Sequence, residues 1–310
     1  MSLASKLFYL KERSAYLQKA RSFFLQKGFL EVDTPILSKA APVDEHIEIF
    51  MVDTDEGTHY LHSSPEYAMK RLLALGIGDI FQLGHVFRQG EVGSLHNPEF
   101  TMVEWYRMAM PFSMFIDECI AFIYLFLGPL TVQHLSYKEA FLHYTSLDPF
   151  LTPLQTLKDL AQTAGFHASH EDRDTLLQFL MAQLIEPHLG DKQLSIITDY
   201  PASQAALAQI VSKEEGCVAQ RFEIYYQGIE LANGYMELSD AQEQRKRLLH
   251  AQQKRQQAQK PFLPIDERLL QALSSLAPCC GVAAGFDRLL CLAMHTSSIA
   301  EVLPFSWIDC

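Results

Sequence analysis

The sequence has no apolar run of membrane-spanning length, no excess of basic charge, no internal repeat and no low-complexity linker. The first absence excludes a helical membrane protein. The second is quantitative: 25 Lys and Arg stand against 37 Asp and Glu, a net charge of −12. Non-specific nucleic-acid binding needs a basic surface to displace counterions, so that class is excluded, although a local cluster of arginines can still hold a small anion. The start, MSLASKLFYLKER, lacks the apolar core of a signal peptide. Six cysteines show neither C-x-x-C zinc pairing nor the spacing of a disulfide framework, and read as reduced thiols of a cytoplasmic protein. What is present is bulk: 310 residues, 48% of them hydrophobic, enough for one large domain over 1–310.

The most informative stretch is Ile80–Tyr106, IFQLGHVFRQGEVGSLHNPEFTMVEWY. Ile80–Phe87 predicts a strand, and the polar segment Arg88–Pro98 is too long for a tight hairpin and suits a ligand-wrapping loop. Phe100–Tyr106 predicts a second strand. Its period of two puts Phe100, Met102, Glu104 and Tyr106 on one face and Thr101, Val103 and Trp105 on the other. A face combining a ring, a carboxylate and a phenol reads as the floor of a site, with Arg88 at its entrance.

Around it, Leu7–Gln26 has helical spacing and stops at Lys27-Gly28, followed by a short strand to Thr34 and Pro35. Ser64 reads as the N-cap of a helix with Pro65 at its first position and Glu66 in its first turn. Glu66 either complements the helix dipole or, with Ser64, meets a substrate's charged group; the residues alone leave both open. Phe112–Phe126, Leu154–Gly165 and Asp172–Leu189 predict helices, the last two in a helical, insertion-like region over 150–193 without a chemical motif. Ser239 and Gln242 predict a capping box for a polar helix, Asp240–Gln259, expected to be a solvated surface element.

Arg221–Glu243 reads as two strands turned at Gln227-Gly228. Glu223 and Glu230 on adjacent strands suit a hard cation such as Mg²⁺ shared with phosphates, and their apolar neighbours argue against plain solvated charge. In Cys280–Met294 a small-residue strand meets a helix near Phe286, with Gly285 at the junction and Arg288 in the first turn. A phosphate there would meet backbone N–H groups and a guanidinium together.

These stretches together resemble the class II aminoacyl-tRNA synthetases. Phe29–Pro35 is similar to their motif 1, Phe87-Arg88 through Glu104 to motif 2, and Gly281–Leu289 to motif 3. HNPEFTM at His96–Met102, ELANGYMEL at Glu230–Leu238 and SSPEYAMKRLL at Ser63–Leu73 resemble the lysyl-specific branch. Motif 1 begins almost at once, without room for an anticodon-binding OB domain. That is similar to the stand-alone members, which activate lysine or (R)-β-lysine and pass it to a lysine of elongation factor P.

The resemblance implies an α+β fold, an antiparallel sheet flanked by helices, and a homodimer built on motif 1, with Pro35 and the helix before it at the contact. It implies ATP and Mg²⁺: Arg88 and Arg288 as catalytic arginines, Glu223 and Glu230 as metal ligands, and Gln89, Gly90, Glu91, His96, Asn97, Phe100, Glu230, Leu231 and Gly285 around the nucleotide. Ser64, Pro65, Glu66, Glu104, Tyr106, Asn233, Glu237 and Ala283 would line the amino-acid pocket, where acids meet two ammonium groups. The acidic balance agrees with a protein acceptor in place of tRNA.

Two departures stand out. The motif 2 acid falls at Glu91, one place later than usual, with Gly90 between it and Gln89. Ala283 stands where lysyl-tRNA synthetases have glycine, and its methyl is expected to disfavour α-lysine relative to the β-isomer. The rivals are a minimal lysine-tRNA ligase, a synthetase-like asparagine synthetase and a non-catalytic regulatory paralogue. The retained arginines and metal acids argue against the last.

Overall fold

The computed structural model describes residues 3–167, 172–213 and 216–310. The chain divides into two compact units, 1–128 with 237–310, and 129–236.

The first unit opens with helix α1 (Leu3–Gln26), stopped where Gly28 takes a positive φ of 81°. Short strands follow, β1 (Leu30–Glu31), β2 (Leu37–Ser38), β3 (Met51–Thr54) and β4 (Gly57–Leu61), then helix α2 (Glu66–Ala74). The long strands β5 (Ile80–Phe87) and β6 (Glu99–Met108) come next and lead into helix α3 (Phe112–Leu127). The run expected to be a strand from Phe29 to Thr34 is shorter, because only Leu30 and Glu31 pair with β5, in parallel.

The second unit begins with β7 (Val132–Ser136) and helix α4 (Tyr137–Thr145), whose Ser136 and Glu139 form a reciprocal capping box. Helices α5 (Leu154–Thr163) and α6 (Arg173–Leu180) follow; α6 runs on as a π turn and a 3₁₀ turn to His188. The strands β8 (Leu194–Pro201), β9 (Ile210–Lys213), β10 (Gly216–Tyr226) and β11 (Ile229–Met236) complete it. β11 pairs antiparallel with β10, β10 with β8 and β9, and β8 parallel with β7. Gln227 and Gly228 turn the β10–β11 hairpin at φ 52° and 72°, a positive pair of the kind favoured in two-residue turns between right-twisted strands. Leu157, Ala161, Leu176, Leu180 and Ile185 from the helices bury against Ile197, Ala219 and Tyr225 of this sheet.

The chain then returns to the first unit with helices α7 (Ala241–Gln257) and α8 (Glu267–Leu273), strand β12 (Cys279–Gly285) and helices α9 (Phe286–Ala293) and α10 (Ile299–Val302). β6 lies between β5 and β12, antiparallel to both. One face of β6 packs on helices: Trp105 lies 5.1 Å from the rings of Phe24 (α1) and Phe122 (α3), and Phe24 stacks on Phe81 of β5 at 4.5 Å. Fully burying such aromatic side chains is the main stabilisation of this layer, at about 1.5–3 kcal/mol each. The other face is left for polar groups.

Helix α7 departs from expectation twice. Its N-cap is Asp240, whose carboxylate accepts from the N–H groups of Gln242 and Glu243, so the cap sits one residue after Ser239. Nor is the helix a solvated surface element throughout, since Gln244, Leu248, Gln252 and Arg255 are buried along one face. Arg255 donates to the carbonyls of Asp44 and Ile47 and pairs with Glu48, and Lys254 and Lys260 pair with Glu45 and Glu48. A polar helix buries here because its partner is naked backbone, which needs donors. The strap it holds in turn accepts the Gln89 N–H at the Glu48 carbonyl, at 2.8 Å.

Among the described residues no disulfide joins any of the six cysteines, and no helix is long and apolar enough to cross a membrane.

Candidate active site

On the polar face of β6, Glu104 and Tyr106 are buried side by side, the phenol donating to the carboxylate at 2.7 Å. The hydroxyl of Ser64 also donates to Glu104, at 2.7 Å, while accepting the Glu66 N–H at 3.0 Å. Ser64 therefore ties the start of α2 to β6, with Pro65 between it and the helix. Glu66 pairs at 2.7 Å with Lys70 one turn on, and Lys70 pairs at 2.5 Å with Glu237. Glu237 is held against β12 through its N–H to the Cys279 carbonyl. The cross-strand register places Ala283 opposite Glu104 and Gly281 opposite Tyr106.

The electrostatics follow from burial. Desolvation pushes the Glu104 carboxyl up to about 7, with the charge of Glu66 adding to it and the bonds from Ser64 and Tyr106 opposing it. Desolvation likewise raises Glu237 to about 8 against the pull of Lys70. Burial alone would lower Lys70, but the carboxylates of Glu237 and Glu66 outweigh it and hold the ammonium charged.

Gly281 is where the packing is tightest. A Cβ added there would lie 2.6 Å from Cδ1 of Tyr106 and closer still to its Cε1 and to Oε1 of Glu237. Neither Lys70 nor Gly281 stands out as a site residue in the sequence. The only local signal for Lys70 is its i+4 spacing from Glu66, which also describes an ordinary surface pair.

A second cluster surrounds the β5–β6 loop. The Arg88 N–H donates to the Pro98 carbonyl at 2.8 Å and closes the loop, in which Gly90 adopts φ 81°. The Arg88 guanidinium lies over the Phe100 ring at 5.2 Å, and Glu91 is 3.9 Å from it. This is the geometry of a cation on an aromatic face. Asn97 is a strut: its amide donates to the Glu99 carbonyl at 2.6 Å and accepts the Trp307 N–H at 2.8 Å. Arg288 is 2.6 Å from Nε2 of His96. Burial, then the positive charge of Arg288, lowers the His96 pKa, so the neutral imidazole accepts from the guanidinium.

Gly285 precedes α9, and Arg288 lies in that helix's first turn. Between them in sequence, Asp287 turns inward: it pairs with Arg13 of α1 at 2.5 Å and accepts the Thr101 N–H at 2.7 Å. Arg13 also donates to the Thr101 hydroxyl at 2.6 Å. This buried network locks α9 to β6, and with it the spacing of Arg288 from Phe100. Its members are 274 and 186 residues apart in sequence, so no local pattern shows it.

Glu223, Glu230, Leu231 and Asn233 belong to the second unit, on β10 and β11. Glu223 accepts from Arg221, Tyr200, Tyr225 and Asn233. Asn233 stands directly opposite it, and its buried side-chain oxygen has no hydrogen-bond partner among the described residues. The register shifts between Ile224 and Tyr225, leaving Leu231 as the extra residue of a bulge that pairs Glu230 with Tyr225. Among the described residues no group of three or more His, Cys, Asp or Glu forms a metal cage. Two carboxylates with an unsatisfied amide oxygen nevertheless suit Mg²⁺, which keeps waters and takes one or two carboxylates beside substrate phosphates.

Comparison with known proteins agrees in extent. The profile of the family described as tRNA synthetases class II (D, K and N) matches residues 5–308. The chain is 44% identical over 303 residues to the elongation factor P–(R)-beta-lysine ligase of Haemophilus influenzae, covering 95% of this chain and 94% of that protein. It is 43% identical over 309 residues to the protein of the same name from Photorhabdus laumondii, and 43% over 307 residues to that from Salmonella typhi, covering in each case 96% of this chain and 94% of the relative.

Proposed function

The chain belongs to the class II tRNA synthetase family (D, K and N), and from that premise we propose that it is an ATP-dependent ligase that activates (R)-β-lysine or lysine as an adenylate and transfers it to a lysine side chain of elongation factor P. The observation that carries the choice of substrate is the acid pocket. Glu66, Glu104 and Glu237 set against one ammonium, Lys70, leave two formal negative charges when all are ionised. A lysine-type amino acid brings two ammonium groups. An uncharged side chain would leave buried carboxylates unpaired, so the pocket rejects it more strongly than lost contacts alone would.

In the first step an oxygen of the substrate carboxylate attacks the α-phosphorus of ATP, and the bond to the departing pyrophosphate breaks. Arg88 bridges carboxylate and α-phosphate and stabilises the charge that grows in the transition state. Phe100 carries adenine, and its face also steadies the guanidinium of Arg88. Arg288 binds the γ-phosphate, releasing His96 as it does so. Gln89, Gly90, Glu91, Asn97, Leu231 and Gly285 shape the nucleotide's surroundings, and Asn233 adds a hydrogen bond for the amino acid. Glu223 and Glu230 are the residues that would hold Mg²⁺, which when bound neutralises the triphosphate. In the second step the acceptor's ε-amine attacks the acyl carbon, the bond to AMP breaks, and an amide forms.

The chain's role throughout is to position charge, which is where most of the barrier reduction in such a reaction lies. We place the protein in the cytoplasm, where elongation factor P and ATP are found, and assign it as a homodimer through α1 and Pro35. ATP–pyrophosphate exchange tests the reading. Exchange with lysine or (R)-β-lysine is expected, and its absence with both would refute the pocket assignment.

A further inference from the structure

Every acid assigned to the amino-acid pocket is held from below, and Lys70 makes two of those contacts. Its side chain is fully buried, on the inner side of α2, and bridges Glu66 on its own helix to Glu237 at the edge of β12. Glu237 and Lys70 are at most 1% exposed, whereas the Glu66 side chain retains 12% and so faces the space a ligand would fill. A buried ammonium is costly to keep unless geometry and partners are good, and removing one partner of such a pair is strongly destabilising. Lys70 meets the requirement with two carboxylates in ion-pair contact.

We propose that Lys70 is a positioning residue for substrate recognition: a fixed internal counter-ion that orients Glu66 and Glu237 and sets the pocket's charge to match a diamine. This rests on the reading of the pocket as an amino-acid site. Without Lys70, three carboxylates would share one buried space, two of them with no fixed cation between them. Like charges in such a space retain protons, so an incoming ammonium would have to displace those protons before it could pair. With Lys70 in place, Glu66 and Glu237 are held in one orientation, and its charge opposes the rise that burial imposes on Glu237. The ionisable groups facing this pair are Glu66 and Tyr67 on α2, Glu104 and Tyr106 on β6, and Cys279 and Cys280 on β12. Tyr67, Tyr106 and both thiols are raised by burial and stay neutral, which leaves the carboxylates and Lys70 to set the charge.

The test uses Lys70→Met in the full chain, which keeps the side chain's length and removes its charge. ATP–pyrophosphate exchange with lysine and (R)-β-lysine gives separate KM values for amino acid and ATP across about pH 6 to 9. The amino-acid KM is expected to rise about tenfold or more at neutral pH while the ATP KM stays within about twofold. The fall of amino-acid KM with rising pH should also move up by about one pH unit, because Glu237 without its cation protonates more readily. Parallel rises in both KM values with an unmoved pH profile, or no rise, would overturn the assignment.

If Lys70→Met does not fold, Lys70→Met/Glu237→Gln replaces the pair with neutral groups and is compared with Glu237→Gln alone. An amino-acid KM for the double variant within about threefold of the single one is expected, and losses that multiply would overturn the proposal. The wild-type chain in the same assay separates the two levels. Wild-type exchange with an unaffected Lys70→Met overturns only Lys70's role, and no wild-type exchange overturns the pocket reading with it.

Discussion

Replacing Gly281 by alanine is the sharpest perturbation the structure offers. The residue lies mid-strand in β12, whose ladder with β6 runs without a break from Cys279 opposite Met108 to Gly285 opposite Met102. The backbone therefore cannot back away, and the new methyl must displace Tyr106 and Glu237. Both are buried and already committed, Tyr106 to Glu104 and Glu237 to Lys70, so their movement breaks contacts instead of relaxing strain. Overpacking of this kind costs about 1–3 kcal/mol. At about 2–4 °C per kcal/mol, Tm should fall by several degrees. The functional loss should be selective. The methyl points at the two groups that line the amino-acid pocket, so amino-acid KM in pyrophosphate exchange should rise about tenfold or more, equivalent to about 1.4 kcal/mol. The ATP KM should be unchanged, because Arg88, Phe100 and Arg288 are not among the atoms the methyl would meet. A Gly281→Ala chain with wild-type Tm and wild-type amino-acid KM would refute the reasoning.

Asp287→Asn should be structurally costly despite its near-identical shape, because it leaves the buried Arg13 uncompensated; a loss of about 3–5 kcal/mol in denaturant unfolding is expected. Glu104 and Glu237, raised to about 7 and about 8, make the unliganded fold bind more protons than the unfolded chain. Their contribution is fully present below the ordinary carboxylate range of about 4.3 and is lost as pH rises through their folded values. Tm of the empty chain should therefore decline over that window more than in Glu237→Gln. The thermal shift given by a lysine-type amino acid, which pairs with the ionised acids, should grow over the same window. Ala283→Gly should move the preference between lysine and (R)-β-lysine toward lysine in exchange assays, since it restores volume opposite Glu104.

Much of the site was legible in the sequence because it follows a period of two. Glu104 and Tyr106 share one face and Trp105 takes the other, as the alternation of Phe100–Tyr106 predicts. The turn at Gln227-Gly228 was legible because glycine readily takes the positive φ that two-residue hairpin turns favour. What stayed hidden depends on distant partners. Lys70 reads as a helix-surface cation until Glu237 is brought to it, and Asp287 reads as an ordinary first-turn acid beside Arg288 until Arg13 arrives from α1. Polarity misled at α7, where Arg255 buries because it donates to the carbonyls of Asp44 and Ile47, and Gln252 because it donates to that of Leu263. A pattern of apolar residues cannot show burial that hydrogen bonds drive.

The measurement that tests the central claim most directly is transfer. The full chain is given ATP, Mg²⁺ and radiolabelled (R)-β-lysine or lysine, with elongation factor P and lysine tRNA offered together as acceptors. Label on a lysine of elongation factor P, dependent on ATP, is expected, and none on the tRNA. Label on tRNA alone, or an adenylate that forms and is passed to neither acceptor, would contradict that claim.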